Sequence, residues 1–320
     1  MLYSRLSFTT ELSASASLPL FKGSTFRGAF GNALKRVACA LERQECQSCL
    51  LASRCVYPFF FERKAACAKK GLRLPSPPHP FVIEPPLTTE VNFNPGDSFD
   101  FNLILFGRAN DYLPYCIYAF EQMGRVGIGK RIKGVRAGFV LKTVSSESGK
   151  IIYSSQDQRL IREDEFAVQL KLQKPEKEKV SRLTVYLKTP LRIKHENRLL
   201  RSDLPFHVLI RAALRRISSL FACYGQGDED KLALDYRGLV ARAQDQSIRV
   251  EESDLCWFDW SRYSSRQDTK MLMGGMLGSI SYWSERGNLG EFLALLRLGE
   301  KVHLGKQSTF GLGQIMVEAE

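Results

Sequence analysis

The sequence predicts an α+β protein built from two domains in tandem. Three observations predict it: an ordinary globular composition, alternating strand patterns around amphipathic helix patterns in each half, and one charge-rich polar stretch between the halves. A chain of 320 residues suits two ordinary domains at ~100–200 residues each. The hydrophobic fraction of 44% and charged fraction of 25% exclude a disordered or collagen-like protein. No apolar run nears the ~18 residues that a spanning helix needs, so no membrane partner is expected. The opening MLYSRLSFTTELSASASLPLF has neither a basic leader nor an unbroken apolar core, so the expected compartment is the cytoplasm.

The first half begins with a strand at residues 2–11. A helix over residues 24–41 follows, with Phe26, Phe30, Leu34, Val37 and Leu41 on one face and Arg27, Asn32, Lys35 and Arg36 on the other. Gly28 and Gly31 each cost about 1 kcal/mol of helix propensity relative to Ala, which suggests that another backbone or a nucleic-acid strand approaches there. A proline-rich connector, LPSPPHP at 74–80, is extended. Phe99, Phe101, Leu103 and Leu105 then alternate with Asp100 and Asn102, predicting a strand with one wetter face. A helix over 112–123 precedes GRVGIGKRIKGVRAGFVL at 124–141. There Gly124, Gly127, Gly129 and Gly134 are interleaved with Arg125, Lys130, Arg131, Lys133 and Arg136. Such glycines permit left-handed backbone angles, and the cations suit phosphates. No G-x4-G-K-[ST] opens a helix, so this is not a Walker A loop.

Residues 165–181, with KPEKEK at 174–179, form the linker, giving domains at 1–178 and 179–320. In the second half Leu183, Val185 and Leu187 alternate as a strand that TPLRIK at 189–194 extends. Asp203 is placed to cap a helix, with Pro205 in its first turn and Gly225 after its end. His207, Arg211 and Arg215 fall at i, i+4 and i+8, one polar stripe. Asn288 with Glu291 forms a capping pattern for a helix through Leu298 that Gly299 ends. HLGKQSTFGLG at 303–313 and a strand at 314–317 finish the chain. Each half therefore reads in a β-α-β-β-α-β order, which predicts two tandem ferredoxin-like (RRM-like) domains, a fold that often presents its sheet or loops to RNA.

Charge and cysteine add chemistry to this frame. Lys plus Arg number 46 against 34 Asp plus Glu, a net +12, which favours polyanions through counterion release. Of eight Cys, Cys39, Cys46, Cys49 and Cys55 are crowded as C-x6-C-x2-C-x5-C in an insertion at about 39–67. A tight cluster without secretory features points to metal rather than to disulfides. Four thiolates suit a [4Fe–4S] cluster or a structural zinc. The string CALERQECQSCLLASRC resembles the [4Fe–4S] loop of helix–hairpin–helix DNA glycosylases, so an iron–sulfur DNA-repair protein is a remote alternative. Cys67, Cys116, Cys223 and Cys256 read as core thiols.

The tail carries the more specific resemblance. The pattern h-G-x5-G-h-G, here Leu304 to Gly313, resembles the glycine-rich loop of the CRISPR-associated RAMP proteins. HLGKQSTFGLG, RYSSRQ at 262–267 and MGGMLG at 273–278 are similar to the pre-crRNA-processing endoribonucleases of that superfamily. FRGAFGNALKR, the cysteine loop, CVYPFFFE, TPLRIK and LIRAALRRIS fit one branch of it, so the resemblance covers nearly the whole chain.

The resemblance implies two ferredoxin-like RAMP domains that bind CRISPR repeat RNA, and other CRISPR effector subunits as further partners. It implies one cut per repeat without a catalytic divalent metal, leaving a 5′-hydroxyl and a 2′,3′-cyclic phosphate. The 2′-OH is then the nucleophile; a base, an acid and a cation complete the reaction. The alternative is a non-catalytic RAMP subunit that holds crRNA in an effector complex. Four His are available. His303 comes first, because it opens the glycine-rich loop whose amides and Lys306 could hold the scissile phosphate. His207 is second with Arg211 and Arg215 beside it, then His195; His79 lies in the proline connector. Tyr263 could share the acid/base role, and Arg262, Arg266 or Lys306 could supply the cation. Many relatives place the catalytic His near the N-terminal helix, and this chain has no His before position 79. The expected RNA contacts are Arg27, Lys35, Arg36, Arg125, Lys130, Arg131, Arg211, Arg215, Arg262 and Arg266, with Gly305, Gln307, Ser308, Gly311 and Gly313 in the loop.

Overall fold

The apolar alternation at the start of the chain builds strand β1 (Leu2–Leu12), which runs through the middle of a seven-stranded sheet. The computed structural model describes residues 1–41, 45–62, 77–160, 166–173, 179–226, 232, 234–264 and 269–320, without the side chains of 262–264 and 269–270. Strands β2 (Phe81–Glu84), β3 (Phe101–Phe106), β4 (Phe139–Ser145), β5 (Ile151–Ser154) and β6 (Arg159–Leu160) complete the main path. Its order is β6-β5-β4-β1-β3-β2. Helices α1 (Gly23–Ala38), α2 (Val56–Phe61) and α3 (Leu113–Val126) belong to the same unit. Leaving out the outer strands, β4-β1-β3-β2 is the antiparallel order of a ferredoxin-like sheet. Pairing Phe8 with Phe101 stacks their rings at 5.0 Å, and Phe26, Phe30 and Phe120 close the core above them.

Several local expectations fail in this unit. Helix α1 ends at Ala38, so Leu41 lies beyond it and is exposed. The wetter side of strand β3 is confined to its start, where Asp100 is exposed and Asn102 half-buried; paired on both edges, the strand then buries Leu103, Ile104, Leu105 and Phe106 in succession. Gly31 faces the Phe61 ring, 2.9 Å from where a Cβ would sit; neither a backbone nor a nucleic-acid strand is needed to explain it.

The second unit repeats the plan. Strands β7 (Arg182–Leu191), β8 (Ile248–Ser253), β9 (Cys256–Ser264), β10 (Thr269–Ser284) and β11 (Ile315–Ala319) form a five-stranded sheet in the order β8-β10-β7-β11, with β9 also paired to β10. Helices α4 (Phe206–Tyr224), α5 (Tyr236–Arg242) and α6 (Gly290–Val302) complete it. The first turn of α4 starts at the Pro205 carbonyl, which accepts from the amides of Val208 and Leu209, later than an Asp203 cap would set it. Asn288 caps nothing, since its Oδ1 accepts from Ser284 Oγ at 2.6 Å and the N-cap is Leu289. Nor does Gly299 end α6: it is interior, with Leu304 only 3.2 Å from a Cβ placed there. The MGGMLG string is strand, and Gly275 lets Pro190 pass 2.8 Å from that Cβ position.

The two units are Met1–Leu170 with Ala222–Gln226, and Lys171–Phe221 with Gly227–Glu320. No helix among the described residues is long and apolar enough to cross a membrane.

Candidate nucleic-acid interface

The glycine-rich tail is folded down onto its own unit. His303 ends α6 at a left-handed φ of 58°. From there the Leu304 amide donates to Gly313 O at 2.8 Å, and the Lys306 amide to Arg192 O at 2.8 Å. Thr189 Oγ1 donates to Gly311 O at 2.7 Å and accepts from the Gln314 amide at 2.9 Å. A Cβ on Gly305 would lie 2.5 Å from Arg192 O, and one on Gly313 only 1.8 Å from Leu304 O. Both positions also need a positive φ, so side chains are excluded twice over. Beneath the loop, buried Arg216 of α4 donates to the carbonyls of Val302 (3.0 Å) and His303 (3.2 Å). A cation at the last carbonyls of α6 holds the point where the loop departs.

Ser308 to Gly313 are therefore buried, while Lys306 and Gln307 stand exposed at the tip. The amides of Gly305, Gln307, Ser308 and Thr309 make no hydrogen bond among the described residues. Four such donors around a left-handed Gln307 resemble the concave amide clusters that receive anions.

Cations crowd this tip. Burial lowers the Lys306 pKa from its ordinary value, and Lys194, Arg215 and Arg192 lower it further. Arg192 is itself half-buried; its Nη1 donates to Gly274 O, and burial holds its pKa below the usual guanidinium value although Asp259 opposes this. Arg215 continues the α4 stripe with exposed Arg211 and half-exposed His207. The His207 ring lies edge-on to His195 at 5.8 Å. Burial is the main cause lowering the His207 pKa, followed by Arg211 and His195, with Asp203 acting the other way. His195 succeeds Lys194 on a two-strand hairpin, Lys194–His195 with Arg198–Leu199. Beside Arg211 and Arg215, α4 and α5 enclose a groove of about 540 Å³ that Tyr236 and Arg237 also line. Together these groups can bind phosphates, polarise one, and move a proton at an imidazole nitrogen.

His303 does not share that surface. It is fully buried, and its Nδ1 lies 3.1 Å from Leu312 O, so the base expected first has no path to a polymer. Ser308, Gly311 and Gly313 are buried as well, leaving Gly305, Lys306 and Gln307 as the accessible part of the loop. Tyr263 and Arg262 fall in β9, their side chains outside the described residues, as is Arg266 entirely. Of the cations in the first unit, Arg27 stacks on Phe61 at 5.0 Å and Lys35 on Tyr57 at 5.7 Å. Arg36 lines a groove of about 380 Å³ with Arg136. Arg125 is exposed in the last turn of α3, and Lys130 and Arg131 are exposed on a hairpin, Ile128–Ile132 with Val135–Ala137. Sequence reasoning missed Arg192 and Arg216, and took Lys194 only as a neighbour of His195. Arg192 and Lys194 were visible as alternate cations in TPLRIK.

The cysteines gather only in part. Cys39 comes directly after α1, Cys55 precedes α2, and Cys55 Sγ lies 3.8 Å from Ala38 O. Burial raises the thiol pKa values of Cys46 and Cys55. Among the described residues no three His, Cys, Asp or Glu side chains are grouped to hold a metal, although Cys39 and Cys55 lie within electrostatic reach of Cys46, and Cys39 and Cys49 within reach of Cys55. Cys116 is a buried thiol as expected, but Cys256 is exposed and Cys223 is disulfide-bonded. Cys67 lies outside the described residues.

Comparison with known proteins adds the family. Residues 1–165 match the AF_1859_N N-terminal domain family, and residues 185–315 match CRISPR-associated endoribonuclease Cas6. An uncharacterized protein of Archaeoglobus fulgidus is 25% identical over 301 residues, covering 92% of this chain and 91% of its own. A chain of a partial Cas6-RT-Cas1–Cas2 complex aligns with all of this chain at a TM-score of 0.57 and 16% identity; the alignment spans 46% of that longer chain. Thermus thermophilus Cas6 aligns at a TM-score of 0.53 and 12% identity over 99% of this chain and 98% of its own, and a Cas6 product complex at 0.55 and 13% over 99% of both. At these identities the likeness establishes the tandem ferredoxin-like fold.

Proposed function

Because the chain belongs to the AF_1859_N family and carries a Cas6-type domain of the CRISPR-associated RAMP proteins as its second half, we propose that it binds CRISPR repeat RNA and cuts it. Partner CRISPR proteins are part of the same reading, supported by the likeness to a chain of the Cas6-RT-Cas1–Cas2 complex. The observation that carries it is the convergence of Lys306, Arg192, Lys194 and Arg215 on a loop tip with open amides, continuous with the His207–His195 pair. Packing four cations together costs Coulomb energy, and a bound polyphosphate offsets that cost.

In the proposed reaction the ribose 2′-OH attacks its neighbouring phosphorus. His207 in its neutral form takes the 2′-OH proton. Protonated His195 donates to the departing 5′-oxygen, leaving a 2′,3′-cyclic phosphate and a 5′-hydroxyl. Lys306 and the loop amides stabilise the charge that builds on the phosphorane oxygens. No divalent metal takes part. The groove at Tyr236 takes an unstacked base, since aromatic faces and arginines suit bases of any sequence. His303 and Arg216 act as positioning residues, holding the loop.

Repeat RNA and the same RNA with a 2′-deoxyribose at the cut site, both incubated with EDTA, test this reading. Product from the all-ribose strand alone is expected. Equal binding with no product from either strand would instead make the protein a crRNA-holding subunit.

A further inference from the structure

We infer that Cys39, Cys46, Cys49 and Cys55 form a thiolate metal centre that fastens α2 to the end of α1. Two of the cysteines are placed at the joints of the segment and two within it. Cys39 is the first residue after α1, Cys55 the last before α2, and the Cys55 sulfur reaches the Ala38 carbonyl at 3.8 Å. The loop's two ends therefore meet at one point. Between them a turn closed by the Ser48 amide on Glu45 O contains Cys46, and Cys49 follows it to open the next turn, in which the Ala52 amide donates to Cys49 O.

Among its described residues, no apolar side chain holds this loop. From residue 45 to residue 54 no side chain is buried, and Leu50 is 81% exposed. Every cysteine in it is half-buried, whereas the core thiol of Cys116 is fully buried. A ten-residue loop that buries nothing gains no hydrophobic stabilisation. Four sulfurs, two at its joints and two within it, can supply the missing free energy by binding a metal, as in small metal-held folds. The all-sulfur donor set suits either a single zinc ion or a [4Fe–4S] cluster. The centre's effect falls on α2, whose Tyr57 and Phe61 lie under Lys35 and Arg27 and whose Phe60 enters the core.

The test is metal analysis of the full chain, purified without oxygen from cells supplied with both iron and zinc. About one zinc, or about four irons with sulfide and an absorbance shoulder near ~400 nm, is expected per chain. Cys46→Ser with Cys49→Ser should remove the metal and lower the melting temperature; Cys256→Ser should keep both. If the double variant fails to fold, the wild-type stoichiometry decides alone. A wild-type chain with reduced thiols, less than a tenth of an equivalent of metal, and no uptake of added zinc or cobalt(II) overturns the inference. None of these readouts depends on RNA cleavage.

Discussion

The two units share one strand order yet differ beyond their last helices. In the first unit α3 leads into an exposed hairpin whose turn holds Lys133 and Gly134. In the second, α6 leads into a loop pressed against β7. Gly134 has nothing within 4 Å of a Cβ position, while Gly313 has a carbonyl at 1.8 Å. Gly134 serves only the hairpin's turn, although a Cβ on Gly129 of the same hairpin would lie 2.5 Å from Ser17 O; Gly313 is dictated by packing. Both units lay cations over aromatic rings, including Arg201 over Trp257 and Arg249 over Trp283 in the second, but the cationic cluster differs. Arg27 and Lys35 lie over aromatic rings, whereas Lys306 faces three other cations. A common fold thus places its reactive charge where the backbone is fixed.

The sharpest way to break this comparison is to remove the imidazole from the second unit. His207→Ala should slow cleavage about 10²–10⁴-fold at saturating RNA, with RNA affinity changed little. Replacing Lys130 and Arg131 by Ala should weaken binding and leave the saturated rate alone. Equal rate losses from both changes would erase the distinction between the units.

Next in size is the glycine pair. Gly313→Ala should destabilise the second unit by about 3 kcal/mol, because the new methyl group meets backbone that cannot rotate away. Gly134→Ala faces only a strained φ and should cost about 1 kcal/mol. Urea unfolding of the two variants measures the gap, and similar midpoints would mean that the loop is not pinned as described. Lys306→Ala should come third, with about tenfold weaker repeat binding and a salt slope shallower by ~0.7, read by titration at several ionic strengths.

How much of this was legible beforehand differs with distance along the chain. Alternation at residues 2–11 and 183–187 and the i, i+4 faces of the helices pointed to both ferredoxin-like orders, because periodicity is local. The stripe of His207, Arg211 and Arg215 was legible for the same reason. The burial of His303 was not: it depends on Thr189, Pro190 and Arg216, more than 80 residues away. The wetter face expected of β3 stops after Asp100 and Asn102, since a strand paired on both edges can be covered on both faces further along. Asn288 looked like a cap because the pattern fits; the Ser284 hydroxyl held its side chain instead.

The smallest effect separates charge from geometry within the second unit. Burial, Arg211 and His195 lower the His207 pKa, and Asp203 alone raises it. The neutral, base-competent ring therefore persists to lower pH than the ordinary value of about 6.5 allows. The acid limb of kcat/KM, which reports the free enzyme, should fall below that pH. Arg211→Ala removes a neighbouring positive charge, so protonation becomes easier and the limb should move up. Asp203→Asn removes the one opposing charge, so the limb should move down. Both shifts should be fractions of a pH unit, because these partners are solvent-exposed and screened. The same sign governs stability: protonating His207 is harder in the folded chain, so this contribution is present above the unfolded pKa and lost as pH falls through the folded one. Shifts in the same direction from both substitutions would show that they act through the loop's geometry, and His207 would lose its place as the base.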